Sequence, residues 1–581
     1  MKKLITDLHC HPSLKPSGDE NIKDIWVDIE NPPLSELFSF ISWRKLLIGA
    51  ILKNTATYSQ SSLDKCYEGK NRLLFCSIYP FERQFLKPNR PFKNSSIVRK
   101  LLLWSIFGKS LKRDVDTKII TALTGVSKAT ITEHLNDVYD NDTVVYLKDY
   151  MREYNYLMQS NNTNSSNTDF VRNPSFKMVR NYEELQTSLN ETTICGILTI
   201  EGMHALGEYK KDHLFNAKSI DALENQDQLA LQQSFINNIA KVKGKDDPEV
   251  IAPYFITFAH HFNNLIAGHA KSFKDGQFIK PGFSDVFDQA KGQDTGLTQF
   301  AKDLIIQHLF SRHNGPRILV DTKHMSLNSR DDYFKLVTQF NRDNPSDIVP
   351  IVVSHTAVSG LKDRATARKT PDKNKIEKNS YVSRWDINLT DEDIEEVFAT
   401  NGIIGICMHD GRMPGENFKK LFRQQKTQVD SEESISRLHS QMFLTNMFHI
   451  VKVTLNKIRS LNNDGQNINE KNAWNTISLG SDNDGIVDPF DNFNSADFLL
   501  DFKLRIQRSI EQNNKPFFEK FRILSLPSED PFSAEELADL MQGFTAEELV
   551  DKVFSDNIDA FLSVFFTKDY LTKGLKEHLI V

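Results

Sequence analysis

Short runs rich in apolar and β-branched residues recur along this chain, with little polar alternation inside them. They lie at 4–8, 74–79, 193–200, 254–259, 317–321, 348–354, 402–408 and 476–480. A run without alternation is what a strand buried on both faces requires, and such strands belong to parallel sheets. Between the runs lie charged stretches whose apolar residues recur at helical spacing, for example 147–158 and 391–399. Strands alternating with helices predict an α/β fold with a parallel sheet. Eight strands suit a (β/α)8 TIM-type barrel, in which side chains at the C-terminal strand ends converge on one mouth.

The same pattern divides the chain. Residues 1–90 carry the first barrel strands. Residues 91–167 form a helical insertion between the second strand and Glu201, ending in an Asn/Ser/Thr run at 160–167 that reads as a linker. The rest of the barrel occupies 168–490, and 491–581 forms a helical C-terminal extension packed on it. Residues 117–138 superficially resemble a helix-turn-helix, with Gly125 at the turn. No basic arm accompanies them, so a helical hairpin acting as lid or dimer contact is expected. The very polar segment 362–378 predicts a mobile loop near the mouth.

The strand ends carry the chemistry. Asp7-Leu8-His9-Cys10-His11 puts two imidazoles at positions i and i+2, on one face of a strand. Later runs end at Glu201, at His260-His261, at Asp321-Thr322-Lys323-His324, at Ser354-His355 and at Ser481-Asp482. Any one of these has an ordinary explanation as a helix cap or a solvated residue. Six together define a metal-type constellation at one mouth. Two divalent ions need a bridging carboxylate, for which Glu201 is the candidate. His9 and His11 would hold one ion, and His324 and His355 the other. Zinc is the default for mixed imidazole and carboxylate ligands, while manganese, iron and cobalt are chemically acceptable. A water shared between the ions becomes a nucleophile near neutral pH. Asp482 would take its proton and deliver it to the leaving group. His260 would donate to the developing oxyanion. His409 either lines the mouth or closes a turn. Lys323 is expected to be solvated or to face the substrate.

Composition narrows the partners. The chain has 581 residues, 39% hydrophobic and 25% charged, with a net charge of -6. That balance argues against a dedicated nucleic-acid binder. No apolar run is long enough for a membrane span. The five cysteines form no C-x-x-C pair, and no signal-type segment opens the sequence. A cytoplasmic protein with reduced thiols is expected. A homodimer remains open.

Five motifs resemble the membrane (renal) dipeptidase family of the amidohydrolase superfamily. Ile200-Glu201-Gly202-Met203-His204-Ala205-Leu206 is similar to its E-G-G-H-x-L segment, and Ala259-His260-His261-Phe262-Asn263-Asn264 to T-H-x-x-N-N. Val320-Asp321-Thr322-Lys323-His324-Met325-Ser326 resembles D-x-x-H-V-S, Val353-Ser354-His355-Thr356 resembles S-H-S, and Gly480-Ser481-Asp482-Asn483-Asp484-Gly485 resembles G-S-D-F-D-G. They follow the family's order. The resemblance implies a (β/α)8 barrel with a dinuclear zinc centre that hydrolyses dipeptides or similar small amides.

Three departures qualify that implication. The family's H-x-D becomes His9-Cys10-His11, which removes one negative charge from the site. The family's carboxylate-binding arginine is replaced by Ile387 before Asn388, leaving Arg384 as the nearest candidate for substrate binding. The interval from His355 to Asp482 is about twice that of a compact member, and loops at the mouth set substrate choice. Two further readings follow: an amidohydrolase acting on a lactone, phosphoester or cyclic amide, and a non-catalytic barrel used for binding. Retention of Glu201, His324, His355 and Asp482 disfavours the second.

Overall fold

A computed structural model describes residues 4–19, 22, 24–30, 58–86, 117, 120–121, 124–272, 289–370, 380–427, 430–485, 488–513 and 515–575. Eight parallel strands form one sheet in sequential order: β1 (Ile5–Cys10), β2 (Asn71–Ile78), β3 (Thr193–Glu201), β4 (Phe255–Thr257), β5 (Leu319–Asp321), β6 (Val352–Thr356), β7 (Ile403–Ile406) and β8 (Ile477–Leu479). The ends of β8 and β1 meet through a parallel bridge between Cys10 and Asn483. There Asp482 donates its N–H to the His9 carbonyl at 3.0 Å, and His11 donates to the Asn483 carbonyl at 2.8 Å. The expected (β/α)8 barrel is therefore present. All eight strands are buried throughout except at Thr193, the first residue of β3, as their lack of alternation requires.

Helices wrap the barrel. Helix α1 (Lys128–Asp140) starts at Ser127, whose side chain accepts from the Thr130 N–H, and α2 (Leu147–Gln159) follows it. Between β6 and β7, α3 (Asp391–Ala399) begins with a reciprocal capping box from Thr390 and Asp393. Helix α4 (Ser431–Asn463) fills much of the interval that lengthens the chain between His355 and Asp482. Of the expected polar loop at 362–378, Arg364–Lys369 is helical and 371–379 lie outside the described residues.

Two features add to the expected outline. A short strand, Ser175–Met178, pairs in parallel with the first half of β3. The run at 160–167 makes specific bonds: the Ser160 hydroxyl accepts from the Ile25 N–H at 3.3 Å, and Ser165 donates to Asp64 at 2.7 Å. In the insertion, Gly125 turns the chain with φ of 72°, and α1 packs through Ile131, Leu135 and Val138 on Tyr79, Phe81, Phe85 and Phe262. This places α1 beside the strand ends rather than away from the barrel. Residues 91–116, 118–119 and 122–123 of the insertion lie outside the described residues.

The C-terminal extension is helical and tied to the barrel. Asn557 donates to the carbonyls of Trp474 and Ile477 at 2.6 and 2.8 Å, and Trp474 Nε1 donates to the Leu540 carbonyl at 2.7 Å. No helix among the described residues is long and apolar enough to cross a membrane.

Candidate metal centre

Glu201 closes β3 and is the hub of the mouth. Its Oε2 lies 3.0 Å from His11 Nε2. Its Oε1 lies 3.4 Å from His9 Nε2, 3.3 Å from His260 Nε2, 3.6 Å from His324 Nε2 and 3.8 Å from His355 Nε2. Five imidazoles from four strand ends thus converge on one buried carboxylate. The next residue, Gly202, has φ of 98°, and a Cβ there would lie 2.2 Å from the His204 ring, so glycine alone fits this turn.

Asp482 follows β8. Its Oδ1 lies 3.8 Å from both His9 Nε2 and His11 Nε2, and its Oδ2 lies 3.7 Å from His355 Nε2. His324 and Asp482 both hold left-handed backbone, with φ of 66° and 62°. Non-glycine residues carry that strain only where surrounding contacts fix it. Those contacts are visible. Asp7 accepts from the Ser481 N–H at 2.8 Å and the Ser481 hydroxyl at 2.5 Å, joining the ends of β1 and β8. Asp321 accepts from the hydroxyls of Thr257 and Ser354, both at 2.6 Å, joining β4, β5 and β6. Asp321 therefore braces the strand ends, while His324 three residues later reaches the cluster.

At the mouth, potential ligand atoms gather in three groups, each within 4.8 Å: His9, His11 and Asp482; His9, Glu201 and His355; and His260, His261 and His324. His9 and His11 stand side by side, with their Nε2 atoms 3.0 Å apart. His324 and His355 fall into different groups. The His355 ring stacks on His9 across the mouth, with centroids 4.1 Å apart, whereas His324 lies beside His260 and His261.

At three of these imidazoles the far ring nitrogen is held by a neighbour. His11 Nδ1 is 2.8 Å from the Ser77 carbonyl, His324 Nδ1 is 3.2 Å from Ser272 Oγ, and His355 Nδ1 is 2.9 Å from Ser354 Oγ. Such partners orient metal-binding imidazoles. Burial, reinforced by His260 and Arg412, holds His324 well below its ordinary pKa. Burial and the neighbouring His9 and Lys323 do the same for His355. Both are thus neutral, the form that ligates a cation. Burial would raise Glu201, but His260, His9 and His11 outweigh it and keep the carboxylate ionised. Burial and the charge of Glu201 push Asp482 up. His355 Nε2 is fully buried without a hydrogen-bond partner, 3.8 and 3.7 Å from the two carboxylates. An orphaned imidazole nitrogen aimed at two carboxylates fits divalent metal ions, with His9, His11, Glu201, His324 and His355 as donors and Asp482 beside them.

Other expected residues take other places. His409 is buried, and its Nδ1 accepts from the Gly411 N–H at 2.8 Å, closing the turn after β7. Arg384 is half-buried beside Trp385. The position of the family's arginine, Ile387, joins Trp385 and Ala270 in a small apolar cluster. Lys323 is buried rather than solvated. Three residues escaped the sequence reading. Glu82, in the loop after β2, contacts His260 Nδ1 at 2.7 Å. His261 was visible at a strand end but not recognised as a donor. Arg412, in the turn after β7, lies 3.8 Å from Asp482.

Fold and site together define a (β/α)8 barrel with a buried histidine–carboxylate centre at its C-terminal mouth. Among solved structures, the chain is similar to dipeptidase AC, a metallopeptidase of family M19, at 12% identity over 97% of this chain and 99% of that one, with a TM-score of 0.42. It is similar to a metallopeptidase from Rhodobacter sphaeroides liganded with a phosphinate mimic of the dipeptide L-Ala-D-Ala, at 12% identity over 96% and 98%, with a TM-score of 0.40. It is also similar to the probable dipeptidase PvdM from Pseudomonas aeruginosa, at 10% identity over 96% and 94%, with a TM-score of 0.40. No protein-family model matches the sequence, and no curated protein does.

Proposed function

We propose that this chain is a metal-dependent hydrolase of dipeptidase type, which cleaves a small peptide or amide bond at the barrel mouth. The observation that carries this reading is Glu201, with five imidazole Nε2 atoms within 3.8 Å of its two oxygens. Two divalent ions, zinc by preference, would be held by His9, His11, Glu201, His324 and His355, and would supply Lewis-acid charge and a lowered pKa for water. The remaining work falls to the protein. Asp482 accepts the proton of the attacking water and returns it to the leaving amine. His260 keeps Nδ1 on Glu82, so its Nε2–H faces the mouth beside Glu201 and would turn from that carboxylate to the carbonyl oxygen as negative charge develops there. The aromatic cluster of Phe81, Phe85 and Phe262 beside α1 limits water on that side of the mouth.

A panel of dipeptides with L- and D-residues, assayed beside lactones, cyclic amides and phosphoesters, tests this reading. Turnover of dipeptides is expected. Turnover confined to the non-peptide substrates would replace it by an amidohydrolase acting on a lactone, phosphoester or cyclic amide, and no turnover of any would favour a barrel used for binding.

A further inference from the structure

The N-terminal end of the barrel, away from Glu201, holds a cavity of about 40 Å³. That is room for about three waters or one tetrahedral oxyanion. The cavity lies where the chain enters β4 and β5, beside Tyr254 and Arg317. Its other walls are the turn after the helix Asn225–Val242 and the C-terminal extension at Phe566 and Lys568. Four cations line it, Arg180, Lys243, Arg317 and Lys568, and no carboxylate does among the described residues.

Negative charge is short here. The buried Arg83, Arg330 and Lys15 each face a carboxylate, the ordinary condition for buried charge. Lys243 is 3% exposed, yet its ammonium meets only the carbonyls of His308 and Ser311, at 2.9 and 2.5 Å. An ammonium has three N–H donors, so one is left over. Arg317 shares the carboxylate of Asp347 with Arg312. Glu249 meets Arg180 at 3.2 Å in an exposed pair of little strength, and Glu183 accepts from the Lys568 backbone N–H at 3.0 Å. Burial and the charges of Arg317 and Arg312 bring Lys243 down to about 7, a shift that a nearby anion would oppose. Tyr254 adds an independent sign. It is 2% exposed, with its ring packed on Phe75, Phe255 and Phe566, and its hydroxyl has no hydrogen-bond partner among the described residues. A buried tyrosine hydroxyl ordinarily has one.

We propose that this cavity binds phosphate, as the free ion or as the terminal group of a monoester, with Lys243, Arg180, Lys568 and Tyr254 as its donors. A planar carboxylate is matched by a single guanidinium fork, whereas donors drawn from several segments around one small space suit a tetrahedral oxyanion. The site is separate from the metal centre and stands whether or not the hydrolase reading does.

Calorimetric titration of the full-length protein at neutral pH and constant ionic strength tests it, with sodium phosphate, glycerol phosphate and sodium acetate as probes. Saturable binding of phosphate is expected, at least about tenfold tighter than any binding of acetate. Tyr254→Phe, which removes only the hydroxyl, should weaken it by about tenfold, the usual effect of losing a hydrogen bond to a charged group. The double variant Arg180→Gln with Lys568→Gln, altered at the rim where folding is least disturbed, should weaken it by about tenfold or more. Glu201→Gln should leave it unchanged. Glycerol phosphate bound as tightly as phosphate would identify the end of an ester as the ligand, and binding of phosphate alone would identify the free ion. Either supports the site. No saturable binding below about 10 mM phosphate would overturn it. So would acetate bound as tightly as phosphate, or affinity unchanged in both cavity variants. Phosphate binding lost in Glu201→Gln but kept in the cavity variants would assign the ion to the mouth and overturn it as well.

Discussion

The Nδ1 of His260 lies 2.7 Å from the Oε2 of Glu82, and this contact fixes which nitrogen of the ring faces the reaction. Glu82 is itself anchored, accepting from the Phe262 N–H at 3.0 Å and from the Tyr79 hydroxyl at 3.1 Å. Burial would discharge the carboxyl, but His260 and His204 outweigh it and keep Glu82 ionised. Burial likewise opposes the charge on His260, yet Glu201 and Glu82 bring it up to about 9. The ring thus keeps a proton on Nε2 across neutral pH.

Loss of that orientation is expected to slow the reaction without emptying the site. Glu82→Gln should lower kcat by about 10- to 100-fold, the usual cost of removing such an orienting partner. Metal content should remain at the wild-type level. Steady-state kinetics beside elemental analysis checks both, and unchanged kcat would remove Glu82 from the mechanism.

Asp482 faces both the imidazoles and Arg412, so its substitution bears on proton transfer first and on metal retention second. Asp482→Asn keeps the shape but cannot accept and return a proton. A loss of roughly 10²–10⁴ in kcat is expected. Because Oδ1 is 3.8 Å from His9 and His11, some loss of metal on dialysis is also expected, smaller than for Glu201→Gln. Near wild-type turnover would contradict the assignment. Asp484 is no substitute for it, since that carboxylate is bound to Lys15, Gln60 and Ser61.

Stability should fall on mild acidification for a reason away from the metal centre. Burial, aided by the charge of Arg83, brings His134 from 6.5 down to about 4, and its Nε2 lies 3.2 Å from the Arg152 guanidinium. The folded state therefore holds this ring neutral where the unfolded chain takes up a proton. The contribution is complete above pH 6.5 and is lost as pH falls toward 4, amounting to roughly 3 kcal/mol at most. Urea midpoints for the wild type and His134→Gln between pH 7 and 4.5 measure it. The variant should lose less stability over that interval, and equal losses would refute the attribution.

Much of this molecule was legible in the residue pattern, for identifiable physical reasons. Parallel strands buried on both faces leave unbroken apolar runs, and all eight were located. Period-two geometry places His9 and His11 on one face. The strand Ser175–Met178 was not visible, because four residues with alternating burial resemble a loop. Helix α4 was also missed. It is buried on nearly every side from Ile435 to Leu455, so it shows no single apolar stripe. Glu82 and Arg412 sit in turns, where no spacing rule marks a side chain that will point inward. The division of His324 and His355 between two groups depends on ring stacking across the barrel, which only the closed fold creates.

The centre itself is tested most directly by the divalent metal content of protein purified without chelator, with Glu201→Gln measured beside it. Glu201 touches every imidazole of the cluster that faces it, so its charge should hold the site together. The expected result is about two divalent ions per chain in the wild type and loss of most of them in the variant. Wild-type protein free of metal, or a variant that retains its full complement, would contradict a metal centre built on Glu201.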